Sequence, residues 1–181
     1  MKKMNLKVLV LALLVGFSTF ATAKSAKTLD HDANMAINQF IDEVKGGDAF
    51  LVKAKAFLVF PSVKEAGFFV GGKYGEGVLR VKRDTKGYYE ITAASVGLQM
   101  GAQEYAMIIA FTSESSLDKF LIDDDEWETD VDGKIAIAEW NSKEELDDVD
   151  FNEDMIAFVF DSKGLMGSFT MEGTKFKRVN K

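Results

Sequence analysis

Residues equipped for covalent or acid–base chemistry are scarce in this chain. It has no cysteine and one histidine, His31, so a thiolate nucleophile and a histidine-rich metal cluster are out of reach, and a serine–histidine relay would rest on His31 alone. His31 falls in the polar lead-in to a helical segment and reads as a solvated surface residue. Carboxylates abound, 29 Asp and Glu in all. They crowd an acidic stretch that lacks the apolar surroundings needed to lift a pKa for general-acid work. Two runs imitate known sites. Gly71-Gly72-Lys73-Tyr74-Gly75-Glu76-Gly77 has the glycines of a phosphate cradle, but no Ser or Thr follows its lysine. The next segment reads as a strand, so no helix N-terminus faces the loop, and a β-hairpin is expected instead. Glu128-x-Asp130-x-Asp132-Gly133, followed by Glu139, keeps the spacing of a calcium loop and puts Ile135 at its apolar position. Its first ligand is one methylene too long and flanking helices are not expected, so this run reads as an acidic hairpin. The inventory points to a binder rather than an enzyme, with no cofactor and no metal.

Recognition by charge is what remains. The formal charge is −7, from 22 Lys and Arg against 29 Asp and Glu, a balance that disfavours nucleic acid. The distribution is uneven. Residues 114–154 hold 17 acids and 3 bases, whereas 48–90 hold 8 bases and 5 acids. Residues 155–181 add Lys163, Lys175, Lys177, Arg178 and Lys181 against Asp161 and Glu172. If the two basic segments share a face, that face can approach an anionic surface while the acidic part points away. By charge and position, Lys64, Lys73, Arg80, Lys82 and Arg83 are the candidate headgroup-binding residues, with Lys86 beside them.

The elements that position these charges begin after an export signal. Lys2, Lys3 and Lys7 precede an apolar core from Val8 to Phe17 and an Ala21-Thr22-Ala23 cleavage site, so residues 1–23 are expected to be removed after Ala23 and the product to be periplasmic or secreted. The core is shorter than the ~20 residues that span hydrocarbon. In residues 24–47, Ala33, Ile37, Phe40, Ile41 and Val44 recur at helical spacing, with Asp30 or Asp32 as cap and Gly46-Gly47 as stop, which predicts one amphipathic helix. A short helix is expected from Asp48 through Lys55, then a buried strand from Phe57 to Phe60 ended by Pro61. Residues 48–181 then read as one α+β domain, a curved antiparallel sheet packed with the N-terminal helices and one short internal helix. Its strands are expected at 67–72, 76–82, 87–94, 96–103, 104–111, 134–140, 155–161, 165–171 and 175–179. The internal helix is expected at 113–122, with Ser115 and Asp118 as a capping box. Residues 141–154 form an acidic connector. The many phenylalanines of the strands are assigned to the core; Phe68 and Phe69 are adjacent, so one faces away from the other, and the outward one, if it meets solvent, is a candidate for insertion into lipid or a partner groove.

Three segments, FLVFPSVKEAGFFVGGKYGEGVLRV, GYYEITAASVGLQMGAQ and GLMGSFTMEG, resemble the SYLF, or Ysc84-like, domain over residues 53–179. The resemblance implies a non-enzymatic module that binds lipid and, in some eukaryotic members, actin. It transfers no residue-level binding signature. For an exported bacterial member it implies anionic phospholipid headgroups, phosphatidylglycerol or cardiolipin, as the available ligand. A periplasmic protein-interaction or scaffold role, with the acidic region contacting a cationic partner, is the alternative.

Overall fold

The computed structural model describes residues 23–122, 126–138, 153–164 and 169–181, leaving out the side chains of 68–70, 95–100 and 164. The expected export core, most of the acidic connector, Glu139 and the side chains of Phe68 and Phe69 lie outside the described residues. Helix α1 (Ala26–Glu43) starts a turn earlier than the sequence suggests, because the Ser25 hydroxyl accepts from the Thr28 amide at 3.2 Å. Neither Asp30 nor Asp32 is the cap, and His31 lies exposed within the helix. Leu29, Ala33, Ala36 and Phe40 form its buried stripe, whereas Ile41 faces outward at 38% exposure. Gly46, at φ 85°, turns the chain into α2 (Gly47–Lys53).

Two long strands follow, where the sequence suggested several short ones. Strand β1 (Ala56–Val81) and strand β2 (Asp84–Phe111) pair antiparallel along their whole lengths and turn at Lys82 and Arg83. Pro61 does not end β1. The register slips between Phe60 and Val63, and at such a bulge the missing N–H is tolerated. Nor is there a hairpin at 71–77. Instead β1 bends until its later residues cross its earlier ones. A Cβ on Gly77 would meet the Phe60 ring at 2.5 Å and the Val59 carbonyl oxygen at 2.7 Å, and one on Gly75 would lie 2.9 Å from the Ser62 carbonyl. These glycines make room for a close crossing rather than for a turn.

Helix α3 (Glu114–Ile122) is capped reciprocally by Ser113 and Ser116, the Ser116 amide donating to the Ser113 hydroxyl at 3.1 Å, and not by Ser115 and Asp118. The chain then adds β3 (Glu126–Glu128), β4 (Ala136–Ile137), β5 (Met155–Gly164) and β6 (Lys175–Val179). The order is β3-β6-β2-β5-β4, with β1 on the other side of β2. All pairings are antiparallel except β4 with β5, so the curled sheet is mixed. Alternation then buries both faces. Leu58, Phe60, Tyr105, Met107 and Phe111 point into the curl and meet α3, Trp127 and Phe176. Phe57, Val59, Ile108, Ala110 and Phe158 point out and are covered by α1 and α2. Phe40 lies 5.4 Å from Phe158 and 5.5 Å from Phe160, ring centre to ring centre, and each such contact adds about 0.5–1.5 kcal/mol to the area buried. The N-terminal helix is therefore part of the core.

Candidate functional site

The basic residues singled out from sequence have three different fates, set by which way the pleat turns them. Glu76, Val78 and Arg80 alternate along β1 and face α1. Arg80 is 8% exposed, and one of its terminal nitrogens lies 3.2 Å from an Asp30 carboxylate oxygen and donates to Asn34 Oδ1 at 3.0 Å. Asp30 in turn accepts from the Thr85 hydroxyl at 2.7 Å and the Tyr88 hydroxyl at 2.9 Å. This network fastens α1 to both long strands. Arg80 is thus a clamp and not a surface-facing cation.

Lys73 lies on the opposite face, inside the curl and 6% exposed. Its ammonium donates to the Thr170 carbonyl at 2.8 Å and sits 4.7 Å from the centre of the Phe169 ring. Burial pushes its pKa below the usual 10.5, with Glu65 pulling the other way. Tyr105 shares Glu65, to which its hydroxyl reaches at 3.4 Å. Burial first, and Glu65 second, raise its pKa.

Lys64, Lys82 and Arg83 remain exposed. Lys64 stands apart, farther back on β1 and paired across the ladder with Glu104. Lys82 and Arg83 form the two-residue turn at the tip of the β1–β2 hairpin, and neither makes an ion pair among the described residues. Lys82 holds φ 60°, a left-handed backbone that disfavours a residue with a Cβ by roughly 1 kcal/mol. Lys86 follows, 3.6 Å from the exposed Asp84, and Arg178 of β6 donates to the Lys86 carbonyl at 3.3 Å. Pairing of β6 with residues 88–92 of β2 therefore brings the two basic segments of the sequence together at this tip.

Beyond β6 the charge reverses at once. Lys175 bridges Glu126 at 2.6 Å and Glu128 at 3.1 Å, and those contacts raise its pKa. The calcium-like run is spent on a tight turn, in which Asp132 accepts from the Glu128 amide at 2.6 Å. A shallow depression of about 360 Å³ beside it is lined by Thr129, Asp130, Ile135, Met171 and Glu172 among others. Among the described residues no helix is long and apolar enough to cross a membrane.

The contribution of Arg178 from β6 was the one part of the tip that the candidate list missed. The signal was present in the basic surplus of 155–181, but not its register against β2. Residues 92–181 match the family model described as Ysc84, Las17-binding protein actin regulator. The match begins within β2 and takes in every element after it, so it starts later than the resemblance read over 53–179. No curated protein matches the chain.

Proposed function

The chain belongs to the Ysc84 (SYLF) family, a family of binding domains, and from that premise we propose that it is an exported, non-enzymatic protein that binds anionic phospholipid headgroups at the cell envelope through the basic hairpin tip. The observation that carries this reading is the pairing of two exposed cations, Lys82 and Arg83, with a left-handed backbone at Lys82. A sparsely populated conformation held by a non-glycine residue is characteristic of sites kept for function. Each Lys or Arg near an anionic bilayer contributes about 1 kcal/mol, so Lys82, Arg83 and Lys86 together give weak, salt-sensitive attachment, opposed by a formal charge of −10 once Lys2, Lys3 and Lys7 are removed with residues 1–23. Glu126 and Glu128 of β3 lie beyond β6 and are bridged by Lys175. The test is co-sedimentation with vesicles of phosphatidylglycerol or of neutral lipid at low and at physiological salt. Selective pelleting with the anionic vesicles that fades with salt supports the reading; no pelleting at either salt removes it.

A protein partner is the second reading, favoured by the 17 acids of residues 114–154 and by the protein-binding description of the matched family. Crosslinking in cells separates the two. A single protein captured by the native chain and lost on neutralising Asp123, Asp124 and Asp125 favours the scaffold.

A further inference from the structure

Lys24 and Glu76 meet across 52 residues of sequence, at the mouth of the groove between α1 and β1. Glu76 belongs to the α1-facing row of Val78 and Arg80, and its side chain is 7% exposed. One carboxylate oxygen accepts from the backbone nitrogen of Lys24 at 3.0 Å, and the other pairs with the ammonium of Lys181, whose side chain is 6% exposed. The side chain of Lys24 turns elsewhere, to Asp32 at 2.6 Å. It is thus the main-chain nitrogen that addresses the buried carboxylate.

Lys24 is also the residue that follows Ala21-Thr22-Ala23. In the unprocessed chain its nitrogen is an amide and a neutral donor. Hydrolysis of the Ala23–Lys24 bond adds one water across it, leaving a carboxylate on Ala23 and an amine on Lys24 that takes up a proton near neutral pH. The atom that already points at Glu76 then carries a full charge. A hydrogen bond between ammonium and carboxylate is roughly twice as strong as its neutral counterpart, and more so where solvent is excluded. We propose that Glu76 is the receptor for the α-ammonium group that export processing creates at Lys24, so that removal of the signal fastens the start of α1 onto β1. Lys181 keeps the carboxylate oriented beforehand. The proposal rests on the export reading above and adds to it a site made by the cleavage itself.

The test uses the full chain expressed in an exporting host and recovered from the envelope. Its N-terminus is sequenced and its α-amine is timed against an acylating reagent at neutral pH, beside Glu76→Gln and a chain with one serine inserted between Ala23 and Lys24. The product is expected to begin at Lys24 and to react about tenfold more slowly than the inserted chain, a ratio typical of one well-made charge pair. Glu76→Gln is expected to abolish that protection. Equal rates in the native and inserted chains overturn the proposal while leaving processing intact; a product that begins anywhere but Lys24 overturns both. Should Glu76→Gln fail to fold, the insertion decides alone, since it leaves the pair of Glu76 with Lys181 in place.

Discussion

Arg80 and the pair Lys82–Arg83 stand within a few residues of one another on one strand and carry the same charge, yet their surroundings are opposite. Arg80 is enclosed by Asp30, Asn34 and the α1 backbone, whereas the turn two residues on is exposed. In a strand, direction alternates and depth is decided by what covers each face. The covering here is α1, which reaches Arg80 and Thr85 but leaves the tip bare. The contrast teaches that a run of cations such as Arg80-Val81-Lys82-Arg83 is not one binding surface. Its inner member holds the fold together, and its outer members are free to meet a ligand.

Substitutions that disturb the inner region should act on stability first. The largest effect is expected at the crossing of β1 on itself. Gly77→Val drives a branched side chain into Phe60 and the Val59 carbonyl, and a loss of about 3 kcal/mol or more is expected in urea unfolding. Arg80→Met comes next, at about 3 kcal/mol, because it leaves the Asp30 carboxylate without its cation; adding Asp30→Asn should recover part of that loss. Thermal melts of the single and double variants check the coupling.

Alkali probes the other face of the same strand pair. The Tyr105 phenol, 1% exposed, has its pKa raised in the folded chain above the ordinary 10.0 by burial and then by Glu65. The folded state therefore holds this proton more tightly than the unfolded one. The resulting stability is fully present below about pH 10 and is lost as pH climbs beyond it toward the folded pKa. Melting temperatures should fall above pH 10, and the fall should be shallower in Tyr105→Phe. An identical slope in that variant would place the alkaline loss elsewhere.

The smallest effect sharpens the comparison most. Lys82→Gly removes one tip charge and relieves the left-handed backbone, so it should hold or raise stability, by up to about 1 kcal/mol, while weakening attachment to anionic vesicles about fivefold. Stability and binding moving in opposite directions is the signature of a strained residue kept for a ligand.

Much of this architecture was legible in the sequence where the determinants are local. The stripe of Ala33 and Phe40 specified the buried face of α1, β6 lies where its pattern predicts, and Tyr89 and Ile91 point inward as their alternation requires. What sequence could not supply depends on distant partners. Glycine at 75 and 77 suggested a turn because the backbone it must admit, residues 59–62, is near only after β1 bends. Arg80 looked like a surface cation because Asp30 lies 50 residues away, and Lys73 because Thr170 lies 97 residues away. Local composition selected the basic strand, and tertiary packing then sorted its members into clamp and tip.

The most direct test of that sorting is the binding of the double variant Lys82→Glu, Arg83→Glu to phosphatidylglycerol vesicles at low salt, with a thermal melt on the same preparation. The account predicts an unchanged melt and loss of pelleting. A normal melt with undiminished pelleting would contradict it, and would move the site away from the hairpin tip.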